Sequence, residues 1–179
     1  TATQKSPPKI AATYNTHMPA PTPLRRLRLW LLLFLLGLVL SGLSAFPLNP
    51  ELAFLAQHLP DTNPFAHWIH RIHIALADTH ARYPFLAYGT DWLAFAHLVI
   101  ALAFLPLWNY PVRNRWLVTW GILCSLAVIP CALIAGQIRS IPFAWRLLDC
   151  SFGLLALIPL LAIRHQISRL EQSPPPHSP

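Results

Sequence analysis

The sequence predicts an all-α integral membrane protein: a four-span transmembrane helical bundle with one or two amphipathic interfacial helices in the first extracytoplasmic loop. Three observations carry that expectation. Of 179 residues, 55% are hydrophobic and only 11% charged, where an ordinary soluble domain carries about 25% charged residues. A fold of this length in water cannot hide so much apolar side chain, so a membrane is the expected solvent. Four apolar runs with no Lys or Arg in their interiors reach the length of about 20 residues that a helix needs to cross a bilayer. Finally, Trp30, Trp92, Trp108, Trp116 and Trp145 fall at or near the ends of those runs, at the headgroup level where amphipathic indoles settle.

Residues 1–24 are rich in Pro, Thr and Ala, have nothing to pack with, and are expected to be disordered. The only Met is Met18, directly before "PAPTPLRRLRLW", and a start there gives a short basic lead into the first span. The membrane domain is expected over 25–165, and its first span, 27–46, follows Arg25, Arg26 and Arg28. Arginines, a leucine-rich run and the small residues of "SGLSA" are also the layout of a cleaved signal peptide. The run continues to about 20 residues and its small-x-small pattern is poor, so a retained anchor is the expectation.

Residues 47–90 form the large outer loop. Within it Asn63 and Pro64 read as an N-cap and a first-turn proline, starting a helix over 64–81 that "RYPF" then stops. At 100° per residue Phe65, Trp68, Ile69, Ile72 and Leu76 share one face, and His67, His70, His73 and His80 share the opposite one. Such a helix suits the membrane surface. The shorter "PELAFLAQH" can do the same.

The remaining spans are expected over 91–109, 116–135 and 147–164. Thr90 or Asp91 can cap the first of these. The short turn "NYPVRNR" makes it the antiparallel neighbour of the next. Pro130 and Pro159 lie inside the last two spans and free carbonyls that another group must satisfy. The tail 166–179 is expected to be disordered.

Orientation follows from the cations. With the N-terminus in the cytoplasm, nine lie on inner segments (Lys5, Lys9, Arg25, Arg26, Arg28, Arg113, Arg115, Arg164, Arg169). Four lie on outer ones (Arg71, Arg82, Arg139, Arg146). That bias places both termini inside, and a bacterial inner membrane is the expected location. The net charge of +7 then serves anchoring against anionic lipid. It forms no continuous stripe and argues against nucleic acid as a partner.

Candidate chemistry centres on "HWIHRIHIALADTH". His67 to His70 and His70 to His73 are i, i+3 pairs and His80 lies two turns beyond His73, a spacing that can present imidazoles side by side to a metal. His97 lies roughly 6–9 Å inside the second span at 1.5 Å per residue, deep enough to be a functional candidate. The candidate metal set is therefore His70, His73, His80 and His97. Asp91, Cys131, Arg139, Arg146, Asp149 and Cys150 form a candidate polar cluster at the outer face. Each has a plain structural reading beside it. The histidines can be the wet face of a helix, Asp149 can pair with Arg146 or Arg139, and Cys131 and Cys150 can be small buried groups or a disulfide. No Cys-x-x-Cys, Cys-x-x-Cys-His, H-E-x-x-H, G-x-S-x-G or phosphate-binding glycine loop occurs. Bis-histidine haem needs a second span histidine that the other spans do not contain.

Two functional classes stay open. One is a non-enzymatic accessory or assembly subunit whose partners are the lipid bilayer and other membrane subunits or copies of itself. The other is a small redox or metal-dependent membrane enzyme, holding Zn, Cu or haem, with its site at the outer leaflet. Without a complete catalytic motif the first is expected, with no cofactor.

Overall fold

The computed structural model describes residues 22–60 and 64–172. The described residues are helical throughout, with no strand: α1 (Thr22–Ala45), α2 (Leu48–His58), α3 (Pro64–Arg82), α4 (Tyr88–Phe104), α5 (Arg115–Ile138) and α6 (Phe143–Gln172). Short 3-10 turns at Pro84–Ala87 and Leu105–Trp108 flank α4. Four stretches are long and apolar enough to cross a membrane: α1, Pro84–Trp108 with α4 at its centre, α5 and α6. Of the expected tails, 1–21 and 173–179 lie outside the described residues, as do Met18 and the Asn63 cap, whereas residues 22–24, expected to be disordered, form the first turn of α1.

Several boundaries move. The expected C-terminal tail begins as helix, because α6 carries on through Ile167 to Gln172. Ile163, Gln166 and Ile167 are buried there, so packing extends the helix past the apolar run. Helix α4 starts at Tyr88, three residues before Asp91, and its N-cap makes no side-chain bond. Thr90 is thus inside the first turn, where its hydroxyl donates back to the Ala87 carbonyl at 2.6 Å instead of capping. Helices α5 and α6 run unbroken through Pro130 and Pro159.

Helix contacts run in the order α4, α1, α6, α5. The consecutive α4 and α5 are therefore not principal neighbours, contrary to what their short connection predicts. Small residues decide which helices approach closely, as they do where lipid removes any hydrophobic drive to pair. A Cβ on Gly153 of α6 would sit 2.5 Å from the Ser125 carbonyl of α5. One on Gly42 of α1 would be 3.0 Å from the Ala94 carbonyl of α4. Between α4 and α5 stands the fully buried ring of Phe104, edge-on to Phe34 with centroids 4.9 Å apart and 6.0 Å from Trp120. Around it Leu27, Leu31, Leu107, Val118 and Leu160 complete the main core.

Arginines gather at one end. Arg28 lies over Trp108 at 5.3 Å and donates to its carbonyl, and Arg115 meets Glu171 at 3.0 Å. The opposite end carries the α2–α3 hairpin, held by a second, smaller core of Leu52, Ala56 and Ile69 that Trp145 of α6 joins. Phe65 stacks on Trp145 with centroids 5.1 Å apart. That contact ties the hairpin to the start of α6.

Candidate functional site

The histidine face of α3 divides. His67 is exposed, while His73 and His80 turn toward the start of α2. A hollow of about 360 Å³ is lined by His73, His80, Asn49 and small alanines. Beside it a second hollow of about 260 Å³ lies between α2, the end of α3 and the start of α4, with Asn49, Thr79, His80, Tyr83, Thr90 and Asp91 as its polar wall. Asn49, Pro50 and His80 belong to both. Two atoms here are shielded from solvent without a hydrogen-bond partner among the described residues: Asn49 Oδ1 and His73 Nδ1. A buried polar atom left unbonded costs about 1–3 kcal/mol, so such atoms are normally few.

His97 belongs to neither hollow. Its Cβ is one of the atoms that crowd Gly42, and its Nδ1–H donates to the Leu93 carbonyl one turn back at 2.8 Å. The carboxylate nearest the other histidines in sequence, Asp78, accepts from Arg82 Nε at 2.9 Å. Among the described residues no three His, Cys, Asp or Glu side chains are grouped to hold a metal ion.

The polar cluster is dispersed in the same way. Asp91 reaches the smaller hollow at the head of α4. Arg146 turns to α5: its stem covers Gly136, its guanidinium donates to Gln137 Oε1 at 2.6 Å and to the Leu133 carbonyl, and it lies over Phe143. Asp149 therefore does not take Arg146 as its ion-pair partner, and none of the ion pairs among the described residues includes it or Arg139. The reason is local. Gly136 opens a slot that the arginine stem fills, and that slot leads the head group to α5 rather than down its own helix. Arg139 is exposed where α5 ends, with Ser140 at φ 55° and the Ile141 N–H closing back on the Gly136 carbonyl. This is the usual hydrogen-bonded stop of a helix, with the left-handed residue supplied by serine in place of glycine. Cys150 is buried and its thiol donates weakly to the Ile129 carbonyl at 3.9 Å, whereas Cys131 is exposed, and both are free. The disulfide is not formed, because the two thiols face different surroundings.

Asn49, Tyr83 and Thr79 were not marked by the sequence. "NP" before an apolar run signals a helix start, and nothing in a linear pattern brings it against His80. No family model, curated protein or solved structure matches the chain.

Proposed function

We propose that the chain is an accessory or assembly subunit of a membrane complex, non-enzymatic, held in a bacterial inner membrane by four spans with both termini in the cytoplasm. On this reading α2 and α3 lie at the outer membrane interface as amphipathic helices, and the arginine-rich end faces the cytoplasm. One observation supports it most: four polar groups of the spans are engaged with the chain itself, while Gln166 Oε1 and Arg146 Nε are buried without a partner among the described residues. His97 bonds to the Leu93 carbonyl, Arg146 to Gln137, Cys150 to the Ile129 carbonyl and Ser125 to the Gly121 carbonyl. Groups used in this way hold helices in place. The outward faces of the spans meanwhile present large apolar side chains, among them Leu40, Leu123, Ile134 and Phe152, which suit lipid or neighbouring subunits.

The test is extraction in mild detergent followed by native electrophoresis, with metal analysis and an absorption spectrum on the same sample. The expected result is a colourless, metal-free chain migrating with defined partners well above its own 20.1 kDa. A reporter fused after residue 60 should score outside, and one fused after residue 172 inside. The competing reading, a small redox or metal-dependent enzyme at the outer leaflet, has in its favour that His80 and Asp91 line one hollow with His73 beside it. A stoichiometric metal or haem band that disappears on changing His70 and His73 together to Ala would replace the subunit reading with this one.

A further inference from the structure

The hollow between α2, α3 and α4 has a chemical preference. Three of its polar residues offer hydrogen-bond acceptors without a committed donor. The Asp91 carboxylate has no Lys or Arg partner among the described residues' ion pairs. Asn49 Oδ1 is shielded and lacks a donor. Thr90 has committed its hydroxyl proton to the Ala87 carbonyl, which leaves its oxygen able only to accept. No lysine or arginine lines the space. A ligand that satisfies this wall brings several N–H groups and a positive charge.

The rest of the wall is apolar, with Leu76 and Leu86 among its members, and Leu86 is also more than half exposed. Tyr83 on its wall and Tyr88 and Trp92 beyond it stand exposed, Tyr88 and Trp92 edge-to-face at 5.9 Å. Aromatics so placed mark the level of lipid headgroups. At about 260 Å³ the space falls below the roughly 300–1,000 Å³ of sites that enclose a drug-sized ligand. It is large enough for a headgroup whose tail remains outside.

From this geometry we infer that the hollow binds the primary ammonium of an amphipathic amine, with Asp91 as the charged acceptor, Thr90 as a neutral one and Asn49 Oδ1 as a second once its amide turns out to meet the ligand. The tail lies along Leu86 in the outer leaflet. The source can be an aminophospholipid or a free amine, and the chemistry at the wall is the same. This rests on the membrane reading above, in that the tail needs a leaflet at that level.

The test uses the full chain reconstituted with equal amounts of phosphatidylethanolamine and phosphatidylcholine of identical acyl chains, then native mass spectrometry of the lipid retained. Choline has the charge but no N–H to donate. The wild type should retain the ethanolamine lipid about tenfold over the choline lipid, the weight of one charge-assisted hydrogen bond. Asp91→Asn and Asn49→Leu should each bring that ratio toward one, in variants that keep wild-type helical circular dichroism and a monodisperse elution. Two variants on different helices guard against either one failing to fold. Free ethanolamine that displaces the lipid at millimolar concentration would assign the site to a soluble amine. No displacement would assign it to the lipid. Equal retention of the two lipids by the wild type, with no thermal shift from ethanolamine, would overturn the inference, as would a preference that both variants preserve. A chain that stays in the aqueous phase without detergent would instead overturn the membrane reading itself.

Discussion

The two packed regions of this molecule differ in how they close and in where their unpartnered polar atoms lie. Around Phe104 the spans close on one another through glycine and leucine, and the buried hydroxyl of Ser125 donates to the Gly121 carbonyl at 2.9 Å. In the hairpin the core is only Leu52, Ala56 and Ile69, and Asn49, Trp68 and His73 bury polar atoms without partners among the described residues. Close packing is how a scaffold gains stability, and in the spans it leaves only Gln166 Oε1 and Arg146 Nε buried without partners among the described residues. Unsatisfied groups beside a hollow are what a binding surface retains before its ligand arrives. The contrast is one of close helix packing in the spans against a small core with unpartnered polar atoms beside a hollow at the hairpin end.

The harshest way to break that contrast is to empty the span core. Phe104→Ala should cost about 3–5 kcal/mol, as truncation of a buried aromatic does, measured by unfolding in mixed detergent micelles. A loss below about 0.5 kcal/mol, within the range of ordinary surface changes, would mean that the ring is not what holds α1, α4 and α5 in place. Overpacking comes next. Gly153→Ala places a Cβ 2.5 Å from the Ser125 carbonyl and should cost about 1–3 kcal/mol. Gly37→Ala, with nothing within 4 Å, should leave the melting temperature unchanged or slightly raised. Equal behaviour of the two glycines would refute close approach of α5 and α6.

The hairpin supplies a milder test. Phe65→Ala removes the stack on Trp145, worth about 0.5–1.5 kcal/mol beyond its buried area. Amide exchange should then quicken over α2 while the spans keep their protection. If α5 and α6 quicken as well, the two regions are one cooperative unit and the contrast fails. The smallest effect is expected at the arginine-rich end. Glu171→Gln breaks the exposed pair with Arg115, and such pairs contribute about 0–1 kcal/mol. A larger loss would show that this end supports the core through its charges.

Much of the architecture was legible because it rests on local properties. Length and apolarity locate α1, α4 and α5 to within about five residues, since crossing a bilayer demands both, but they miss the last eight residues of α6, which packing extends. The 3.6-residue period of "PFAHWIHRIHIALADTHAR" identifies α3, which runs to Arg82 against an expected end near 81. The site was legible only in part. His80 and Asp91 were marked by residue type, and they do share a hollow. His97 was marked by its depth, yet its ring nitrogen is taken by the Leu93 carbonyl, a choice of rotamer that spacing does not encode. Asp149 was expected to pair with Arg146 or Arg139, and for Arg146 the slot at Gly136 on another helix leads the guanidinium to Gln137 instead.

The amino-acid sequence by itself therefore determined which segments are helices and which of them are fit for a membrane. Both follow from hydropathy and backbone hydrogen bonding within single segments. Only the tertiary structure decided that α1 sits between α4 and α6, that α5 takes α6 rather than its chain neighbour, and that Asn49 lines one hollow with His80 and Asp91. Those outcomes depend on where a glycine lets two backbones approach and where a phenylalanine ring keeps them apart, and such complementarity exists only between segments.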